Sequence, residues 1–351
     1  MQRKLKVGLI GYGYAGKNFH APLITSIPGM ELAKVVQQKL NSAKERYPGV
    51  EVVRSANDLF QDQSIDLIII ATPSTDHYTF TRDALLAGKH VIVEKPFTVR
   101  SSEARSLIAL AREQKKMLSV FHNRRFDGDF KTIRELHGQG LLGRLTDVRF
   151  SWDRYMPKVD VSAWRESSAP GAGILYDLAI HFIDQALYLF GVPSHIHADI
   201  RKQREHAETD DFFDIVLTYE NGPRVTLEAS LLRREKGPRY TLHGTKGSFV
   251  KCGEDPQEET LLQGLTPAWA DWGKDKPERF GALDMTFAGQ HYIGRIETMA
   301  GSYEQYYQNV YDHIVHGAEL IVKPEDAQAA VRLIELAQES SESGKTIAVN
   351  L

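Results

Sequence analysis

The 351-residue sequence predicts an α/β protein built as two domains. A doubly wound parallel sheet is expected over 1–123, and an α+β domain with a large, mostly antiparallel sheet over 124–351. Three observations carry that expectation. Up to about Asn123, short β-branched apolar runs alternate with helical stretches, the pattern of strands buried on both faces and joined by crossover helices. A glycine-rich turn, Gly11-Tyr12-Gly13-Tyr14-Ala15-Gly16, directly follows the first of those runs. After Asn123 the runs alternate apolar with polar residues and are separated by NG and KG turns, which suit antiparallel neighbours. The length itself accommodates about two domains.

The first strand is KVGLIG (6–11), and ELAKVV (31–36), EVV (51–53), IDLIIIAT (65–72), HVIVEK (90–95) and MLSVFHN (117–123) supply five more. Helices are expected over 14–25, 78–87 and 101–115, and right-handed βαβ winding of the six strands follows. In the second half a helix near 127–138 precedes LTDVRFSWDRY (145–155), a loop rich in Pro, Ser and Gly, and a helix from about Gly173 to Phe190. DFFDIVLTYE (211–220), RVTLEASLL (224–232), RYTLHG (239–244) and GSFVKCG (247–253) then read as strands. Their sheet has an apolar face to be covered by helices, by another subunit or by both. Residues 254–300 are polar and rich in Gly and Pro and give no firm element, and helices near 303–316 and 324–340 close the chain.

Composition narrows the function classes. Apolar residues make up 42% and charged residues 25%, the profile of a soluble globular chain with a sizeable core. A net charge of -3 gives no broad cationic surface, and Arg124-Arg125 with Arg233-Arg234 are too few to bind nucleic acid. Cys252 is the only cysteine, so no intrachain disulfide forms and a reducing cytoplasm is the expected setting. The N-terminal MQRKLKVGLIGYG is basic and then apolar, but its run is short and enters glycines, as a strand does and a signal peptide does not. No run approaches the roughly 20 apolar residues of a membrane span. His195 and His197 sit two apart with His206 nearby, yet no cysteine or carboxylate cluster completes a metal set. They read as solvent-facing strand histidines, and no metal is expected.

The glycine turn has a chemical reading. Gly11 permits the tight turn, Gly13 lets the backbone approach a pyrophosphate, Gly16 allows close helix–strand packing, and the helix start offers N–H groups to an anion. A purely structural glycine turn would show the same letters, but its place inside an N-terminal βαβ unit favours dinucleotide binding. The acidic residue that binds a ribose 2′-hydroxyl is expected at the end of the second strand. Gln37-Gln38-Lys39 stands there instead, an amide and ammonium set that can donate to a 2′-phosphate. NADP is therefore expected over NAD, with NAD possible; a merely exposed Lys39 is the bland alternative.

Ligands of such a sheet bind beyond the carboxyl ends of its strands. Those ends carry Ala71-Thr72-Pro73 with His77 just beyond, then Glu94-Lys95-Pro96, then Asn123. Lys95 would emerge where a nicotinamide meets its substrate, and the Lys95–Pro96 bond is a candidate cis bond. A solvated Glu–Lys pair capping a strand is the competing account. In the second domain Asp177 and His181 lie four apart in a helical stretch and share a face with Ile174 and Leu178. A carboxylate one turn from an imidazole orients it for general acid–base work. A structural Asp–His pair would look alike, and Asp184 continues the face.

Taken together, GYGYAG, the central EKP and the later G-x-x-x-D-x-x-x-H resemble the Gfo/Idh/MocA family of oxidoreductases over essentially the whole chain. The resemblance implies a Rossmann domain and a catalytic trio at Lys95, Asp177 and His181. SVFHNRRFDGDF (119–130), DRYMPKVDVSAWRE (153–166) and GILYDLAIHFIDQALYLFG (173–191) look like the NADP-dependent scyllo-inositol dehydrogenases and their relatives. On that likeness Trp164 and Arg165 lie near the nicotinamide, the position of Lys39 is commonly basic, and homodimers or homotetramers form through the C-terminal sheet. The implied chemistry has His181, oriented by Asp177, take a polyol hydroxyl proton while Lys95 stabilises charge on the oxygen. Asn123, Asp153, Arg154 and Tyr155 are further candidates to contact a hydroxylated ring; a surface loop is the alternative for the last three. A sugar dehydrogenase of other specificity, a nicotinamide-dependent glycosidase and a non-enzymatic NADP-binding regulator are the rival readings.

Overall fold

The computed structural model describes residues 3–39, 41–160 and 162–351. In chain order its first elements are β1 (Leu5–Ile10), α1 (Ala21–Ser26), β2 (Met30–Val36), α2 (Ser42–Arg46), β3 (Glu51–Val53), α3 (Asn57–Phe60), β4 (Leu67–Ile70), α4 (His77–Leu86), β5 (His90–Val93), α5 (Ser101–Glu113) and β6 (Leu118–Val120). They are followed by α6 (Gly128–Gly138), β7 (Leu145–Asp153), α7 (Ile180–Phe190), β8 (His195–Arg201), β9 (Phe212–Thr218), β10 (Arg224–Ser230), β11 (Tyr240–Gly244) and β12 (Gly247–Lys251). Last come α8 (Gln257–Leu262), β13 (Gly281–Phe287), β14 (Gln290–Ile296), α9 (Glu304–His316), α10 (Pro324–Ser343) and β15 (Ile347–Ala348).

The first sheet runs β3-β2-β1-β4-β5-β6, parallel throughout. All four residues of β4, Leu67 to Ile70, are fully buried, as a strand covered on both faces requires. Strand order reverses between β1 and β4, and such a reversal opens a crevice beyond the carboxyl ends. The helical stretch after β1 contains a π-turn over Gly16–His20 before α1, a widening that the 3.6-residue pattern does not signal.

The chain divides into two compact units, Met1–Phe126 with Pro256–Gly273 and Ser302–Gln328, and Asp127–Asp255 with Lys274–Gly301 and Ala329–Leu351. The expected division after residue 123 is a single cut, whereas two later segments return to the first unit. The reason is an aromatic stripe. Tyr303, Tyr306, Tyr307, Val310 and Tyr311 recur at helical spacing and are buried in one cluster with Phe19, Phe121 and Phe126. The Phe121 ring lies 5.1 Å from Tyr306 and 5.7 Å from Tyr307.

In the second unit nine strands form the order β14-β13-β12-β11-β7-β10-β9-β8-β15. Every pairing is antiparallel except β7 with β10. Val148, Phe150 and Trp152 of β7 are buried on one face, where Phe182 of α7 packs with ring centroids 5.6 Å from Phe150 and 6.1 Å from Trp152. Each such side chain contributes about 2 kcal/mol of apolar burial. Arg149, Ser151 and Asp153 point the other way and join Glu228 and Arg233 in a charged ladder.

Residues 254–300, which offer no element by sequence, contain α8 and the β13–β14 hairpin. Its turn places Ala288 at φ 50 and Gly289 at φ 80, both left-handed. An alanine there lacks the Asn-Gly letters that normally announce a hairpin. His195 and His197 alternate outward on β8 and are exposed. Among the described residues no helix is long and apolar enough to cross a membrane.

Candidate active site

The first unit carries the glycine turn at the end of β1. Gly11 adopts φ +93, and a Cβ there would collide with the Ala71 carbonyl at the end of β4. A Cβ at Gly16 would collide with the Gly11 carbonyl. At Gly13 a Cβ would meet no protein atom within 4 Å, so the protein's own packing does not demand glycine there. Close approach by a ligand phosphate does, and the turn therefore fits a dinucleotide. Tyr12 is partly buried, and burial pushes its phenol up to about 12. Tyr14 is exposed and its hydroxyl donates to Glu258 at 2.8 Å, while Ala15 lies in the first turn of the helix.

At the end of β2 the three expected donors part company. The Gln37 side chain is buried; its amide donates to Ser42 Oγ at 3.1 Å, and its carbonyl accepts the Ala43 N–H at 2.9 Å. Gln37 thus fastens the start of α2, whereas Gln38 and Lys39 are exposed. Sequence reasoning missed Arg54, just past β3. Its guanidinium donates to the Gln37 carbonyl at 2.7 Å and to Asn41 Oδ1 at 2.9 Å, which brings a cation to the end of β2. Only strand order makes them neighbours.

The β4 and β5 ends are tied together by a buried imidazole. His77 Nδ1 lies 2.7 Å from the Pro96 carbonyl and Nε2 3.0 Å from the Thr72 carbonyl. Burial holds its pKa down against both carbonyls, Glu94 and Asp76, so the neutral ring donates to one carbonyl and abuts the other. His77 therefore positions the Ala71-Thr72-Pro73 and Glu94-Lys95-Pro96 turns rather than presenting a free ring. The Lys95–Pro96 peptide is cis. Glu94 Oε2 accepts the Lys95 backbone N–H at 2.9 Å, and Oε1 lies 2.9 Å from His20 Nε2. Asn123 is buried at the end of β6. The adjacent Arg124 and Arg125 are internal clamps, bonded to Tyr303 and Glu258 and to the Ile321 carbonyl and Asp326 respectively.

In the second unit Asp177 falls within a π-turn over Leu175–Ala179 that leads into α7, and His181 is the second residue of α7. Asp177 Oδ1 lies 3.7 Å from Arg165 Nε, and Arg165 stands over the Trp164 ring at 5.9 Å. The structure thus brings Trp164, Arg165 and Asp177 together. His181 is 5% exposed and packs against Trp152 at 6.1 Å between centroids. Arg239 and Arg154 cover that indole at 3.6 and 5.2 Å.

Asp153 does not join this group. Strand alternation turns it to the sheet face opposite Trp152, where it is buried and paired with Arg233 at 3.1 Å. Of the three loop candidates, Arg154 shares the Trp152 face, while Tyr155 is exposed under Arg234 at 4.0 Å.

Two supports escaped the sequence. Arg204 is buried between Glu166 and Asp211, both at 3.0 Å, and donates to the Met156 and Lys158 carbonyls, which anchors the loop bearing Trp164 and Arg165. Asp210 accepts the Leu175 N–H at 2.6 Å at the start of the π-turn. Gly173, at φ +86, admits it, since a Cβ there would collide with Asp210 Oδ1. Burial pushes the Asp210 carboxyl up to about 6, from an ordinary 3.8. A raised carboxyl favours the protonated fold, so this contribution to stability is complete below pH 4 and is lost as pH rises through 6. Asp210→Asn keeps a carbonyl acceptor without the titration. Between pH 4 and 7 the variant should gain on the order of 2–3 kcal/mol relative to the parent in urea unfolding. A pH-independent difference would refute this account.

These features suit a nicotinamide-dinucleotide oxidoreductase. Residues 5–122 match the family described as "Oxidoreductase family, NAD-binding Rossmann fold", and residues 134–349 its "C-terminal alpha/beta domain". The chain belongs to the Gfo/Idh/MocA oxidoreductase family. It is 42% identical over 347 residues to the uncharacterized oxidoreductase YdgJ of Escherichia coli, covering 99% of each chain. It is 39% identical over 343 residues to the scyllo-inositol 2-dehydrogenase (NADP+) IolW of Bacillus subtilis, covering 98% of this chain and 95% of the relative. The solved structure of Bacillus subtilis yvaA matches with a TM-score of 0.96 at 38% identity, over 99% of both chains.

Proposed function

We propose that the protein is an NADP-dependent dehydrogenase acting on a secondary alcohol or ketone of a cyclitol or sugar, with scyllo-inositol the first substrate to test. The observation that carries this reading is the anchored Lys95 turn at the end of β5, two strands from a glycine turn whose Gly13 is left open for close approach by a phosphate. The likeness to the scyllo-inositol 2-dehydrogenase (NADP+) supports the cyclitol choice.

Gly11 to Gly16 hold the pyrophosphate, and Lys39 with Arg54 hold the 2′-phosphate. The bound nicotinamide supplies the hydride acceptor, or the donor in reverse. His181 takes the proton of the reacting hydroxyl, and Asp177 orients its imidazole. Lys95 Nζ, as an ammonium, donates to the same oxygen and stabilises the negative charge that develops there. Trp164 and Arg165 close over Asp177, and Asn123 and Arg154 supply further polar contacts. A homo-oligomer through the second unit's sheet is part of this reading, supported by exposed Phe287, Tyr292 and Ile293 on β13 and β14. Light-scattering mass of the purified chain tests that part.

Absorbance at 340 nm with NADP+ or NAD+ and a panel of scyllo-inositol, myo-inositol, glucose, xylose and gluconolactone tests the reaction. NADPH formation with scyllo-inositol is the expected result. Turnover of a sugar alone would discard the cyclitol. Silence with every pair despite NADPH binding would overturn the dehydrogenase and favour a glycosidase or a regulator. Lys39→Glu should weaken NADPH binding by at least tenfold, as an anion replaces a cation beside the phosphate, and leave NADH binding within about twofold. Equal losses for both nucleotides would reject Lys39 as the selector.

A further inference from the structure

The mechanism uses neither His20 nor Tyr307, yet both are fully buried and connect to the Lys95 turn. Tyr307 contacts His20 Nδ1, His20 Nε2 lies 2.9 Å from Glu94 Oε1, and Glu94 Oε2 accepts the Lys95 N–H at 2.9 Å. We infer that His20, locked by Tyr307, is a positioning residue for Lys95: it holds Glu94 as a fixed carboxylate against the Lys95 backbone and thereby sets the aim and the electrostatic surroundings of the ammonium. The inference rests on the proposed role of Lys95.

The direction of the chain follows from its chemistry. Burial keeps the Tyr307 phenol well above its ordinary range, so its O–H is the donor. His20 Nδ1 accepts that proton, and the tautomer protonated at Nε2 donates to the carboxylate. The Phe121 ring lies 4.6 Å from the imidazole and the Tyr307 ring meets it edge-on at 6.3 Å, so the imidazole is held on two sides. His20 closes the π-turn that follows the glycine turn, and one side chain thus joins the phosphate-binding helix to the end of β5.

A merely structural link would not need a carboxylate. Burying one is costly unless it is bonded at both oxygens. Burial alone would raise the Glu94 pKa; the His20 bond leads the groups that bring it below the ordinary carboxylate range, and the Lys95 charge adds to it. Around this carboxylate stand His20, His77 from α4, Tyr306 and Tyr307 from α9, and Lys95 itself. Without His20 the largest counterweight to burial is gone, and the Glu94 pKa moves up.

The test uses the full-length chain with His20→Phe, which keeps ring shape, and His20→Gln, which keeps a donor toward Glu94. His20→Phe should lower kcat by 10- to 100-fold at pH 7, lose less relative to the parent as pH rises, and leave the NADPH Kd within about threefold. His20→Gln should restore most of the rate at pH 7. An independent readout needs no substrate: acetic anhydride labelling of Lys95, normalised to exposed Lys236 and read by peptide mass spectrometry, should rise at least threefold in His20→Phe. Tyr307→Phe removes one hydroxyl and should shift both readouts the same way by less, which covers a His20→Phe variant that does not fold. A pH–rate profile parallel to the parent's with unchanged Lys95 labelling would reduce His20 to a packing residue. If the parent turns over no substrate while labelling still responds, the proposed reaction fails and the positioning role stands.

Discussion

Lys95→Ala is expected to lower kcat by about a thousandfold or more while leaving the NADPH Kd within about threefold. Removing a single donor to a developing oxyanion typically costs 10²–10³ in rate, and here a full positive charge leaves with the donor. The nucleotide is held elsewhere in this reading, at the glycine turn of β1 and at Lys39 and Arg54, so binding should persist. The fold should persist as well. Lys95 is only partly buried, and the Glu94 and His77 bonds that fix its turn run to backbone atoms an alanine retains. Steady-state rates and NADPH fluorescence titration on one preparation separate the outcomes. An alanine variant within tenfold of the parent would remove Lys95 from the chemistry.

His181→Asn should lower kcat by 10²–10⁴, the span that general acid–base groups supply. His181 is 5% exposed and packed on Trp152, so Asn, which retains polarity at a smaller volume, carries some thermal destabilisation that a melting curve separates from the rate effect. Lys95 and His181 belong to different compact units. A double-mutant cycle between Lys95→Ala and His181→Asn measures whether both act on one oxygen. Groups acting as a unit give a double variant little worse than the worse single variant. Full additivity would mean that the two residues serve separate steps.

The parallel sheet was legible because each β-branched run and each helical interval is a local pattern, and all six expected strands recur in order. The glycine turn was legible for the same reason: three glycines at fixed spacing state a backbone requirement. The β13–β14 hairpin was not, since its left-handed turn is built on Ala288 and its outer strand is exposed along most of its length. Gln37 shows the limit at the site: its type suited a phosphate donor, but the fold turns the amide inward onto Ser42 and Ala43. Asp153 shows another. Its neighbours in the sequence suggested a binding loop, whereas the pleat sends it to the face opposite Trp152.

The sequence by itself determined the strand-and-helix grammar of the first unit, the glycine turn, and the family to which Lys95, Asp177 and His181 point. Those features are written in residues close together along the chain. Only the tertiary structure decided that Tyr307 and Glu94 share the imidazole of His20, that Arg54 stands beside Gln37 and Asn41, and that Asp210 secures the turn bearing Asp177. Each of these joins residues that only strand order, helix packing or a strand end bring into hydrogen-bonding range, and no periodicity along the chain records such a meeting.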